Sequence, residues 1–194
     1  MVNIKIILGS IRPGRFGVQP AEWIKKVSES YADTATFELI DLKKIDLPFL
    51  DEAVPASYDQ YANDHTKAWS KVIGEADGFV FVTSEYNHSI APSLKNAIDF
   101  LYKEWNYKPV AFLGYGADAG GARAIEHLRG VAGWLKMYDI SEHMLLREYY
   151  LNQDENGAYK FSDDQEKKAK AMLDQLVFWT ETMKAAREHL ASKN

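Results

Sequence analysis

Short apolar runs recur along this chain, and an amphipathic stretch follows each of them. Ile4 to Leu8 is nearly continuous and ends at Gly9. Phe79-Val80-Phe81-Val82-Thr83 is the clearest run, and Thr36 to Leu42, Pro109 to Tyr115 and a stretch near Ile140 to Tyr149 read as the remaining strands. Uninterrupted apolar runs suit strands buried on both faces, as in a parallel sheet. Between them the spacing predicts helices. Ala21, Ile24 and Val27 share a face over Val18 to Tyr31, with Pro20 in the first turn. Leu94, Ala97, Ile98 and Leu101 mark another helix, and Ile125, Leu128, Ala132 and Leu135 a further one. Ser57-Tyr58-Asp59-Gln60 reads as a capping box opening a helix that runs to Ala76. Ser162 caps a long last helix with Ala169, Met172, Leu173 and Leu176 on its apolar face, beyond an Asn156-Gly157 turn. Parallel strands need crossovers, and helices must cover both sheet faces. The expectation is one domain over residues 1–194, a doubly wound five-stranded parallel sheet in three α/β/α layers.

Such a sheet binds ligands beyond the carboxyl ends of its strands, at the topological switch point. Composition narrows the ligand. The chain has no cysteine, so disulfides, thiol catalysis and Cys-ligated metals are excluded, and redox chemistry must come from a bound cofactor. The histidines are scattered, without metal-ligand spacing. A net charge of −5 offers no basic field for nucleic acid. No apolar run approaches the ~20 residues that span a bilayer. The N-terminus enters a strand pattern directly, without signal-peptide character, and a cytoplasmic protein is expected.

The loop after the first strand reads Gly9-Ser10-Ile11-Arg12-Pro13-Gly14-Arg15-Phe16-Gly17. Glycines let backbone approach a ligand, and N–H groups at a helix start favour an anion. Ser10 can donate a hydroxyl, and an arginine can clamp phosphate. Ile11 and Arg12 break the Gly-x-Gly-x-x-Gly pattern, and the Walker lysine is missing. A single phosphate therefore suits the loop better than a triphosphate or a dinucleotide. The same residues would also make a plain Gly/Pro turn with solvated arginines. The loop after the third strand is polar and aromatic. Tyr86 offers a flat face, Asn87 can pair with a heterocycle edge, and Ser89 is positioned as a helix cap with Pro92 in the first turn. Glu85 can cap or bond backbone, and His88 reads as a surface loop residue.

Together these segments resemble the NADPH-dependent FMN reductase family. The resemblance rests on Gly9 to Gly17 and on the stretch Glu85-Tyr86-Asn87-His88-Ser89-Ile90-Ala91-Pro92-Ser93-Leu94-Lys95-Asn96-Ala97-Ile98-Asp99, in that order and spacing. It covers about residues 3 to 150. It implies a flavodoxin-like fold and bound FMN, with NADPH or NADH as co-substrate and quinones, azo compounds or similar small molecules as electron acceptors. It implies that Ser10, Arg12, Arg15, Phe16 and Gly17 surround the FMN phosphate. Ser84, Glu85, Tyr86 and Asn87 would line the isoalloxazine, and Tyr115 and Gly116 would meet its pyrimidine end. In that setting Tyr86 and His88 shape the acceptor pocket and Arg123 attracts nucleotide phosphates. Ser84 stands where Pro is common, His88 where Gly is common, and Tyr115 where Ser is frequent. The glycines of the 114–121 loop can also serve only to let the fourth helix pack. Two other readings share the flavin: an electron carrier without NAD(P)H turnover, and an FMN-binding regulatory protein. Carriers tend to be strongly acidic for docking, whereas this charge is mild. Relatives are usually homodimers or homotetramers. Phe100, Tyr102, Trp105, Tyr107, Trp134 and Tyr138, and Phe178 and Trp179 on the last helix, are candidates either for such an interface or for the core.

Overall fold

A computed structural model describes residues 1–193. Among them a parallel sheet contains β1 (Val2–Leu8), β2 (Ala35–Asp41), β3 (Gly78–Tyr86), β5 (Pro109–Tyr115) and β6 (Tyr138–Leu146), in the order β2-β1-β3-β5-β6. Counting parallel strands alone, this is the 2-1-3-4-5 order of a flavodoxin-like sheet. The two faces take alternate residues, as the pleat requires. Ile4, Ile6, Leu8, Val80, Val82 and Leu113 pack under α1 (Val18–Ser28) and α6 (Asp163–Ala191). Ile7, Phe79, Phe81, Val110 and Phe112 pack, with Leu42 of the single-turn α2 (Leu42–Ile45), under α3 (Asp64–Gly74), α4 (Pro92–Asp99) and α5 (Ala122–Trp134). Each face of the sheet carries its own core cluster, and the three layers expected from the pattern are present.

Three local readings change. The helix expected from Ser57 begins at Asp64 instead. Ala56–Tyr58 makes a single tight turn, with Tyr58 N–H donating to Pro55 O, and Asp59 then enters the left-handed region at φ 57°. A helix cannot run through a residue in that conformation, so the chain leaves the turn at Asp59 before any helix can extend from Ser57. The Ser162 box does form, with Ser162 and Gln165 exchanging side-chain and backbone bonds. Ser89 caps no helix. It belongs to a short added strand, β4 (Ser89–Ile90), antiparallel to the end of β3. Asn87 and His88 are not free loop residues but the turn of this hairpin, at φ 49° and 63°.

 Positive φ at both Asn87 and His88 is what a two-residue turn of this hand demands. Pro92 does stand at the start of α4.

Candidate functional site

The loops after β1, β3 and β5 meet at the carboxyl edge of the sheet. The first is anchored at its neck. Gly9 N–H donates to Val82 O at 2.9 Å, and Ser93 Oγ donates to Gly9 O at 2.5 Å. A side chain at Gly9 would press on Leu94 Cβ and Val82 O, at 3.0 and 3.1 Å, so this close approach requires glycine. Beyond the neck the backbone is open. The N–H groups of Ser10, Ile11, Arg12, Gly14, Arg15, Phe16 and Gly17 donate to no acceptor among the described residues. They lead into the N-terminus of α1, whose dipole adds to their positive potential.

The side chains of this loop divide by task. Arg15 is largely buried. It donates to Ser10 O at 2.7 Å and to Asp41 Oδ2 at 2.5 Å, so its fork braces the loop against the end of β2. Arg12 is exposed, with its guanidinium 6.0 Å from the centre of the Tyr86 ring. Ser10 is buried, and its hydroxyl lies 3.2 Å from the Tyr86 hydroxyl. Phe16 forms a floor. It stacks on Tyr149 at 4.0 Å and meets Tyr115 and Tyr159 edge-on. Gly17 closes the loop over Tyr115, whose hydroxyl would lie 2.5 Å from any added Cβ.

Ser84, Glu85 and Tyr86 are strand residues rather than loop residues, because β3 continues into the hairpin. The Ser84 Oγ is buried and has no hydrogen-bond partner among the described residues. Glu85 is turned toward α5. It accepts from the Arg123 backbone N–H at 3.1 Å and pairs with the Arg123 guanidinium, which also reaches Asp118 at 3.4 Å. Arg123 is therefore engaged within the chain. Burial opposes ionisation of Tyr86, but the Ser10 hydroxyl and the Arg12 guanidinium outweigh it and hold the phenol below its ordinary value. Burial pushes the Tyr115 phenol up. The Tyr115 ring points beneath the first loop and is 4 % exposed, leaving its backbone and Gly116 at the upper edge. Gly121, at φ 92°, lets the third loop fold against β5, where an added Cβ would lie 2.7 Å from Tyr115 N. These glycines pack the start of α5 and also shape the edge of the site.

Several contributors carry no signal of their own in the sequence. Asp41 is one, Ser93 another. Asn96 accepts from Leu50 N–H at 3.0 Å and donates to Pro48 O at 2.7 Å, fixing the loop beside the site. Ser89 pairs with His127 at 2.9 Å and ties the hairpin to α5. The spacing of these pairs along the chain is set by crossovers, which no local pattern reports.

Residues 2–150 match the family described as NADPH-dependent FMN reductase. The chain belongs to that family. An NAD(P)H-dependent FMN reductase of Schizosaccharomyces pombe is 42 % identical to this reductase over 137 residues, covering 70 % of this chain and 68 % of its own. A 2-hydroxy-1,4-benzoquinone reductase of a Burkholderia species is 30 % identical over 189 residues, covering 92 % and 96 %. Among solved structures, the flavoenzyme NAD(P)H:(acceptor) oxidoreductase FerB from Paracoccus denitrificans superposes with a TM-score of 0.73 at 21 % identity, covering 94 % of the reductase and 99 % of that chain. That likeness supports the fold. Family membership makes this reductase an FMN-dependent NAD(P)H oxidoreductase.

Proposed function

We propose that the reductase passes hydride from NAD(P)H through bound FMN to quinones or similar small electron acceptors. The observation that carries this reading is the run of open backbone N–H groups from Ser10 to Gly17, set beside Ser10, Arg12 and Tyr86. These groups suit one phosphate. Backbone donors surround it, Ser10 and Tyr86 add hydroxyls, and Arg12 brings a charge that no carboxylate among the described residues claims. The unpartnered Ser84 hydroxyl and the backbone of Glu85, Asn87 and Gly116 lie where the flavin ring would extend. Bound FMN supplies the hydride chemistry, so no protein nucleophile is needed.

The remaining residues prepare that site. Arg15 holds the loop through Asp41, and Phe16 and Gly17 set its floor. Glu85 locks the hairpin to α5. Asn87 and His88 form the hairpin tip beside the acceptor space. The relatives' names point to the acceptor class, a quinone. The test is spectroscopic. Protein loaded with FMN and freed of excess should be yellow, bleach anaerobically with NADPH and recolour on adding a quinone. Protein that binds FMN but neither bleaches nor turns over quinone overturns the enzymatic reading.

The same reading makes the reductase a cytoplasmic homodimer or homotetramer. Phe100 and Trp105 are core residues and take no part in an interface. Trp134 is 75 % exposed on α5, beside Gly130, where an added Cβ meets nothing. A mid-helix glycine costs about 1 kcal/mol relative to alanine, and packing within the chain does not repay it. Close approach of a second copy explains both. A strict monomer by sedimentation at micromolar concentration contradicts this. No helix among the described residues is long and apolar enough to cross a membrane.

A further inference from the structure

The loop that leaves β1 is held at its neck through Gly9 and Ser93, and along its length through Arg15. Its exit has a further anchor, supplied by the far end of the chain. Phe16, Gln19 and Trp23 stand three and four residues apart, so they fall on one face of the loop's last turn and α1. All three meet the excursion between β6 and α6. Phe16 stacks on Tyr149 at 4.0 Å and meets Tyr159 edge-on at 5.5 Å. Gln19 Nε2 donates to Gly157 O at 2.8 Å, and Gln19 Oε1 accepts from Tyr159 N–H at 2.6 Å. Trp23 stacks on Phe161 at 4.0 Å.

The excursion is tied within itself and at both ends. Gln153 and Tyr159 pair antiparallel, and Lys160 N–H donates to Asn152 O at 3.1 Å. Asp154 Oδ1 accepts from the N–H groups of Asn156 and Ala158, each at 2.9 Å, and Gly157 closes the turn at φ 79°. On one side Glu148 N–H donates to Ala117 O in the third loop at 2.8 Å. On the other, Gln165 in the first turn of α6 donates to the Tyr159 hydroxyl at 2.8 Å. Most of this support lies beyond residues 2–150, the stretch matched to the family, so family membership assigns it no role.

A loop of open N–H groups loses backbone freedom when it closes on an anion, and a loop ordered beforehand is spared that loss at binding. We infer that Gln19 is a positioning residue for the phosphate loop. Through it the 152–160 turn holds Phe16 and the first turn of α1, so that the loop's N–H groups are already set for a phosphate. Part of the affinity for the phosphorylated flavin is thereby decided by a turn more than a hundred residues away in the chain. The inference rests on the function proposed above, in which the flavin phosphate occupies this loop. Coupling of this kind is reciprocal, so a phosphate in the loop also steadies the turn.

The experiment is a fluorescence titration of the full chain, stripped of flavin, with FMN and separately with riboflavin. Gln19→Ala removes both bonds to the turn. It should raise the Kd for FMN about tenfold and leave the Kd for riboflavin within twofold, because riboflavin brings no phosphate. A substitution that merely loosened the fold would weaken both flavins alike. A second measurement needs no variant: by NMR, hydrogen exchange at the Tyr159 N–H of the parent should slow more on saturation with FMN than with riboflavin. An unchanged Kd for FMN in Gln19→Ala, a loss shared equally by riboflavin, or equal protection by the two flavins overturns the inference. Arg12→Ala separates it from the phosphate site itself. If Arg12→Ala lowers FMN affinity and Gln19→Ala does not, the inference falls and the phosphate site stands. If neither variant changes the ratio of FMN to riboflavin affinity, the phosphate lies elsewhere and both fall.

Discussion

The two ends of the parallel sheet are built on opposite terms. At the amino end, polar groups are saturated. Asp77 accepts from Asn3 N–H at 3.0 Å, Lys184 at 2.9 Å and Arg187 at 2.8 Å, and Arg187 also donates to Tyr107 O at 2.8 Å. Lys108 is buried with its ammonium on the carbonyls of Ile73 and Gly74 at the C-terminal end of α3. At the carboxyl end, a row of backbone donors and the Ser84 hydroxyl have no partner within the described chain. The Ser84 hydroxyl is buried, whereas Ile11, Arg12 and Gly14 are exposed, so their backbone donors are open to solvent or to a ligand. One end ties the last helix to the sheet, and the other is left for chemistry.

That contrast can be broken most sharply at Asp77. Asp77→Ala leaves two cations half-buried and unpaired, and about 3 kcal/mol of stability should be lost in urea denaturation. FMN affinity measured below the transition should be unchanged. Arg12→Ala should do the reverse, raising the FMN Kd about thirtyfold by fluorescence titration with an unchanged urea midpoint. Equal loss of stability in both variants would erase the distinction between the ends. Gly17→Ala tests the floor beneath the phosphate loop. Its Cβ meets the Tyr115 hydroxyl, so FMN affinity should fall about tenfold, and adding Tyr115→Phe should recover part of it.

The smallest effect is a slope with pH. Burial lowers the Lys108 ammonium from 10.5 to about 8. Between those values the unfolded chain holds the proton and the folded chain releases it. The unfolded state therefore binds more protons, and stability contributed at this position rises with pH from about 8 to 10.5. Lys108→Met should flatten that part of the stability curve relative to the parent, while an unchanged curve would mean that Lys108 titrates alike in both states.

Periodicity carried the fold far. The apolar runs at Ile4–Leu8, Phe79–Thr83 and Pro109–Tyr115 stand where β1, β3 and β5 stand, because a doubly buried strand tolerates almost nothing but apolar residues. The Ser162 cap was legible for a similar reason, since its bonds are local. The Ser57 reading misled because a local turn at Pro55 to Asp59 ends in a left-handed residue, which stops a helix there. The hairpin at Asn87 and His88 was hidden behind helix-like punctuation, and Ser89 looked like a cap because caps and turns draw on the same residue types.

The sequence by itself determined the layered parallel sheet, the family, and the two segments that carry the site, through patterns confined to a few consecutive residues. Tertiary structure decided what each side chain does there. It committed Arg15 to Asp41 and Arg123 to Glu85, and left Arg12 open. It also turned the Tyr115 ring beneath the loop and set Gln19 against the turn at Gly157. The partner of a charge or a ring is chosen by which strands lie side by side, and that order comes from crossovers that no local window of sequence records.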